Sequence, residues 1–439
     1  MPRPMKNSGI EWLGDIPTDW DVQRIKNVAQ IYGRIGFRGY TTDDLVEEGE
    51  GAITLSPSNL RELKIVYDKC SYISWEKYEE SPEIQIENGD ILFVKTGSSY
   101  GKSSIVNDLP LQATINPQLV VFKNITINNR FLLYFLQTPS IRNEIEGIVS
   151  GGTIPTMTQD KMKNFHICIP PLDEQQRIAN FLDDKCARID SVIENTRASI
   201  EEYKKLKQSI ITRAVTKGIR PNRPMKNSGI EWIGDIPSDW TVCRIKNLAN
   251  IFTGNSIKDE QKEFYEEPIE AIPYIATKDI DATLQTIDFF NGMYVKISDE
   301  SFKRAPAQST LLCIEGGSAG KKIAYTNREV CFVNKLCCFH SNTCYNEYVY
   351  YYLMSSTFTQ LFNSHISGLI GGVSVMTLKN FKIILPSPDE QREIANYLDE
   401  KTAAIDSLVA KKNQLVTELE RLKKSLIFEY VTGKKEVPT

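Results

Sequence analysis

The sequence contains no apolar run near the 18 residues that a membrane span requires, and no apolar core behind Met1 that could serve as a secretory signal. A cytosolic protein is expected. Nine cysteines occur without framework spacing, which excludes a fully paired disulfide scaffold and fits free thiols in a reducing compartment. Only three histidines are present, His166, His340 and His365, and they are too scattered for acid–base work. A positive excess is missing as well. The net charge of −4 argues against a chain that grips nucleic-acid phosphates alone, because each neutralised phosphate releases a counterion. It leaves room for a subunit whose partners share that work. Glycine and proline are absent from residues 172–215 and 389–431.

What is present is a chain of soluble globular makeup, 41% hydrophobic and 25% charged, whose 439 residues predict two to four domains. Its strongest signal is duplication. Residues 3–12 return unchanged as 223–232, and the match continues through Ile16, Pro17, Asp19 and Trp20 to Ile31 and Ile251. A second matched pair closes each half, at 173–183 and 389–399. Between these segments the halves diverge. Shared ends with unlike middles suggest one scaffold presenting two different recognition surfaces.

Each half reads as a mixed domain followed by a long helix, with boundaries expected at 1–171, 172–217, 218–387 and 388–439. Strands are predicted at 52–55, 90–94 and 119–122, and a short buried helix at 130–137 with its counterpart at 348–353. The last strands, 165–169 and 381–385, end at Pro170 and Pro386. Ser387, Pro388 and Glu390 have the order of a capping box; the first copy puts Pro171 in place of the serine.

Within the gap-free stretches, apolar residues recur every seven. One track holds Leu182, Ile189, Tyr203 and Ile210, the other Ile178, Val192 and Leu206. In the second copy the tracks are Leu398, Ile405, Leu419 and Leu426, with Ile394, Leu408, Leu415 and Leu422. That spacing is a coiled-coil seam, interrupted by Lys185, Thr196, Ser199, Lys401 and Lys412. About 43 helical residues carry the chain roughly 65 Å, while the linker at 216–224 reaches about 30 Å at most. The two helices should therefore run antiparallel, with a domain at each end. The expected fold class is α+β: two tandem mixed domains separated by an antiparallel helix pair in a pseudo-two-fold arrangement.

The chain resembles the specificity subunit of type I restriction-modification systems over essentially its whole length. The resemblance rests on the duplication, the opening motif at 16–20 and 236–240, the closing motif from Pro170 through Ala179 and again from Pro386, and the segment 89–102 with its weaker echo at 311–321. It implies that each variable domain reads one half of a split, asymmetric site on double-stranded DNA. It further implies that the helices set the spacer and dock two DNA adenine methyltransferase subunits, with restriction/translocase subunits joining afterwards. ATP and S-adenosylmethionine would belong to those partners, leaving this chain non-catalytic, with no cofactor, metal or membrane of its own. The second copy departs from the pattern at Glu315 and Gly316, where the first has Lys95 and Thr96.

Several motifs bear on rival functions. Residues 97–103 look like a phosphate loop but are one residue short, since Thr96 stands where the first glycine should be; the copy at 317–322 is shorter still. A Gly-rich turn that brings Lys102, or Lys321 and Lys322, toward a DNA backbone is the better reading, with an ordinary exposed turn as the plain one. Asn116, Pro117 and Gln118 lack the second proline and the aromatic of an amino-methyltransferase signature, so the chain should methylate nothing itself. Glu62 and Lys64 match a nuclease triplet that arises readily by chance. Cys337, Cys338, His340 and Cys344 fit no standard zinc spacing.

The leading DNA-contact candidates are Arg34, Arg38 and Tyr40, in a Gly-rich segment that begins where the repeat stops matching. Their chemically different counterparts are Asn255 and Lys258. Ser58 and Asn59, against Thr277 and Lys278, form a second variable stretch; Thr96, Ser98 and Ser318 belong to the Gly-rich turns. Arg24, Lys26, Arg244 and Lys246 are the same in both copies and cannot encode a difference. A stand-alone ATPase and a coiled-coil adaptor without DNA contact are the competing readings.

Overall fold

The computed structural model describes residues 3–34, 39–138, 141, 157–368 and 371–438. They divide into two units, one made of residues 1–195 with 415–439 and the other of 196–414.

In the first unit, a six-stranded sheet runs in the order Gln30–Tyr32, Leu119–Lys123, Ile91–Val94, Ser103–Ile105, Lys64–Ile65, Leu60–Arg61. A four-stranded sheet orders Ala113–Ile115, Gly51–Leu55, Ser71–Ser74 and Leu45–Val46. The strand Ile91–Val94 is a continuous apolar run because both its faces are covered. Ile91 and Phe93 join Phe122 and the helix Asn129–Leu136 on one face. Leu92 and Val94 face Ile53, Leu55 and Ile115 of the smaller sheet. Complete burial of each such side chain stabilises by about 1.5–3 kcal/mol.

The second unit repeats this layering with different residues. Asn250–Thr253, Leu336–His340, Ser309–Cys313 and Ile323–Thr326 form one sheet; Tyr294–Lys296, Ala271–Ile275, Val330–Phe332 and Arg304–Ala305 form the other. Side chains alternate along Leu336–His340, so Cys337 packs with the helix side and Cys338 with the opposite core. That alternation parts the thiols considered for zinc. No group of three potential metal ligands occurs among the described residues. No helix among them is long and apolar enough to cross a membrane.

The long helices are Leu172–Lys217 and Pro388–Val431. In the first unit Phe181 stacks on Tyr430 at 4.6 Å, and Asp190 meets Lys423 at 2.6 Å. In the second, Tyr203 lies under Lys412 and Lys207 meets Asp406 at 2.8 Å. Rising numbers on one helix face falling numbers on the other in both units, so the segments are antiparallel.

The seam differs from the expected one on one track. Ile178, Leu182, Ile394, Leu398 and Ile405 are buried, and Ile189 and Ile210 half-buried, as expected. The second track runs instead through Cys186, Ile193 and Ile200, and through Thr402 and Val416. Val192, Leu206, Leu408, Leu415 and Leu422 are each more than 40% exposed. Both alternatives are heptad spacings. Thr196, expected as an interruption, is in fact buried, Lys207 lies on the buried track, and on the second helix the leucine-rich track lies outside.

The capping box is also half-formed. Ser387 Oγ accepts from the Glu390 amide at 3.4 Å, but the Glu390 carboxylate is committed to Trp240 and Arg223.

Candidate nucleic-acid interface

The identical segments of the two halves build identical bonds. Met5–Asn7 pairs with Asp15–Pro17, as Met225–Asn227 does with Asp235–Pro237. Each hairpin leads into a fully buried tryptophan. Trp20 Nε1 donates to Glu174 at 3.0 Å and Trp240 Nε1 to Glu390 at 2.8 Å. Arg3 lies over Trp20, bonds Glu174 at 2.5 Å and meets Asp19 at 2.8 Å; Arg223 does the same with Glu390 and Asp239. The matched acid in the first turn of each long helix therefore holds the tryptophan and arginine of the hairpin before it. These groups are used up by the scaffold and cannot carry sequence discrimination.

The divergent residues fare differently. Arg34 is 4% exposed: its Nε donates to the Ile115 carbonyl and its Nη2 to Thr114 Oγ1, both at 3.2 Å, and Tyr40 lies 5.3 Å beneath it. Burial lowers its pKa from the usual guanidinium value. Arg34 is therefore a core strut, which corrects its reading as a DNA contact, and Tyr40 is its packing partner. Arg38 lies outside the described residues. Asn59, also 4% exposed, closes the turn at 56–59 by accepting from the Ser56 amide and donating to the carbonyls of Val66 and Lys69. It too is structural. Asn255 spends its amide on the Ser301 carbonyl and the Lys303 amide. The preceding Gly254 is required, since a Cβ there would lie 1.7 Å from the Phe332 carbonyl oxygen.

The remaining candidates stay at or near the surface. Ser58, Ser98, Lys258, Lys278 and Lys321 are exposed, and Thr96, Lys102, Thr277, Ser318 and Lys322 half-buried. In the second unit, Lys322 Nζ donates to the Thr277 carbonyl at 2.7 Å, joining the turn at 276–279 to the Gly-rich turn. In the first, Ser103–Ile105, which follows the Gly-rich turn, lies beside the hairpin that grows from residues 56–59. The second unit thus joins its two variable turns directly, and the first sets the strand after one beside the hairpin after the other.

The Gly-rich turn of the first unit joins antiparallel strands Ile91–Val94 and Ser103–Ile105. No helix begins there to aim amides at a phosphate, which removes the structural basis for a nucleotide loop. Lys95, at the start of that turn, is not among the contact candidates named from the sequence. It is half-buried and burial lowers its pKa; the equivalent position carries Glu315. That charge reversal was visible in the sequence.

A family model described as the type I restriction modification DNA specificity domain matches residues 17–202 and 237–418, the two repeats in turn. The chain belongs to this family of specificity subunits. It is 27% identical to a putative type I restriction enzyme MjaX specificity subunit of Methanocaldococcus jannaschii, over 97% of this chain and 96% of the relative. The MjaVIII specificity subunit of the same organism is 25% identical over 95% of this chain and 93% of its own. Two solved structures share the fold. One, from work on complex assembly and conformational transition of the type I R-M system, superimposes with a TM-score of 0.72 at 18% identity, covering 96% of this chain and 99% of that one. The other is the HsdS subunit of Thermoanaerobacter tengcongensis, with a TM-score of 0.51 at 18% identity and coverage of 96% and 98%.

Proposed function

We propose that each unit reads one half of a bipartite double-stranded DNA site through its variable turns. In the first unit the readers are Ser58, Thr96, Ser98 and Lys102, with Lys95 added. In the second they are Lys258, Thr277, Lys278, Ser318 and Lys321. One observation carries this reading: the repeated residues are consumed by the same scaffold bonds in both units, while the exposed turns differ in length and charge. One scaffold with two unlike faces suits an asymmetric target. The chain itself supplies no chemistry; methyl transfer and DNA cleavage fall to partner subunits, and the complex works in the cytoplasm.

The long helices carry the spacing between the half-sites and the docking surface for two methyltransferase subunits. The exposed leucines support that role: Leu415 and Leu422 in the first unit, Leu206 and Leu408 in the second, with 408, 415 and 422 at heptad spacing on one helix. Water disfavours such residues, and a partner helix would cover them. Genome-wide mapping of methylated adenines in cells with and without this chain tests the reading. A two-part asymmetric motif that vanishes with the chain is expected; an unchanged methylome would refute it.

A further inference from the structure

Two lysines hold positions in the helix seam that an apolar residue would ordinarily occupy. Lys423, in the first unit, has a side chain 15% exposed. Its Nζ lies 2.6 Å from both carboxylate oxygens of Asp190 on the other helix and 3.2 Å from Glu62 Oε2. Lys207, in the second unit, has a side chain 14% exposed; its Nζ lies 2.8 Å from both oxygens of Asp406 and 3.4 Å from Gln285 Oε1. In each unit, then, one ammonium joins both helices to a loop of the DNA-recognition domain.

The loops that supply the third partner are built differently. Glu62 sits at the tip of a short hairpin, Leu60–Arg61 with Lys64–Ile65, at φ +54°. Its carbonyl accepts from Ser104 Oγ at 2.9 Å, and Ile105 donates to the next carbonyl, that of Leu63. Gln285, at φ +57°, closes a longer loop in which its amide donates to the Asp281 carbonyl and the Asp281 amide to that of Thr286. Unlike sequences thus deliver a side-chain oxygen from a left-handed residue to the same point on the helix pair. In both units the loop grows directly from the variable turn, 56–59 or 276–279; in the first the strand that follows the Gly-rich turn is fastened beside it, and in the second Lys322 of the Gly-rich turn bonds the turn itself.

We propose that Lys423 and Lys207 are positioning residues that tie each recognition loop to the register of the helix pair. The inference rests on the bipartite reading above. A lysine in a heptad seam fixes register at a cost in stability, because sliding by one heptad would strand its charge. Here the same charge also sets where the reading turns stand along the helices. The lysine converts helix register into half-site spacing. An apolar seam residue would hold the helices but leave the turns free to shift.

The test uses the chain assembled with its methyltransferase subunits, on DNA carrying both half-sites at the preferred spacing and at one base pair more or less. Lys423→Met should raise methylation of off-spacing DNA relative to preferred DNA by about tenfold, the scale of one charge-assisted hydrogen bond. Lys423→Arg should restore discrimination. Glu62→Ala removes only the loop's share of the clamp and alters a side chain that is 69% exposed, so it keeps the fold. It should move the ratio the same way by about threefold. An unchanged ratio in Glu62→Ala, or a uniform loss at every spacing in Lys423→Met, overturns the proposal. Should the unmodified complex show no spacing preference, the bipartite reading itself fails, a different outcome.

Discussion

The junction between hairpin and helix end is made twice, once within a continuous chain and once between chain ends. In the second unit the helix Leu172–Lys217 finishes beside Trp240 and passes through residues 218–224 into the hairpin it touches. In the first unit Trp20 receives Gly433, from the opposite end of the sequence. The bonds are the same. Lys217 donates to the carbonyls of Ile233 and Asp235, and Lys434 to those of Leu13 and Asp15. Contact chemistry alone therefore closes the first unit, and the covalent link in the second is not what holds the helix end there.

The sharpest way to break this parallel is to remove the acid that both junctions share. Glu174→Ala leaves the Trp20 indole N–H without its acceptor and the Arg3 guanidinium with Asp19 alone, and should cost about 3 kcal/mol in the first unit. Glu390→Ala should do the same in the second. Because each acid serves only its own unit, calorimetry should show one transition fall and the other hold. A common fall would contradict independent closure.

A smaller effect distinguishes the two junctions. Gly433 has φ +69° and a Cβ there would stand 2.4 Å from the rigid Pro17 ring, whereas at Gly218 the nearest atom, at 2.9 Å, ends a flexible arginine. Alanine at Gly433 should therefore cost about 2 kcal/mol, and alanine at Gly218 about 1 kcal/mol, both measured by urea unfolding. Equal costs would mean that Pro17 yields as readily as a side chain.

The helix surfaces give the next contrast. Leu415→Asp places a charge on the exposed track and Ile405→Asp one in the seam. The first should abolish co-elution with methyltransferase subunits at little cost in melting temperature; the second should lower the melting temperature itself. Normal assembly of Leu415→Asp would refute the docking role.

The smallest effect concerns pH. Burial pushes Cys168 up to about 12 and Cys338 up to about 12, from an ordinary value of 9.0. A thiol whose folded value is raised contributes stability that is whole below pH 9 and lost as pH climbs toward 12. Unfolding at pH 10 should therefore be easier than at pH 8 by about 1 kcal/mol for each such thiol. Replacing Cys168 with Ala should remove its share of that slope.

The two long helices, their antiparallel direction and the tandem mixed domains were legible because periodicity, missing breakers and a short linker report on local structure. The wrong seam track arose from choosing Val192 and Leu206 over Ile193 and Ile200. Both sets recur every seven, and Lys207 disguised the true track because its charge is neutralised by Asp406, a partner about 200 residues away. Arg34 misled for the same reason. Its acceptors, Ile115 and Thr114, lie on a strand that only folding brings near. Spacing could reveal the helix pair; no local pattern could reveal which polar side chains would find partners inside.

The central claim is that the two units read their halves of the target separately. Lys278→Ala combined with Lys321→Ala strips two exposed cations from the second unit's turns and leaves the first unit untouched. In the methylated-adenine motif of cells carrying this variant, one half-site should relax or weaken while the other keeps its sequence. Equal relaxation of both halves would contradict the account.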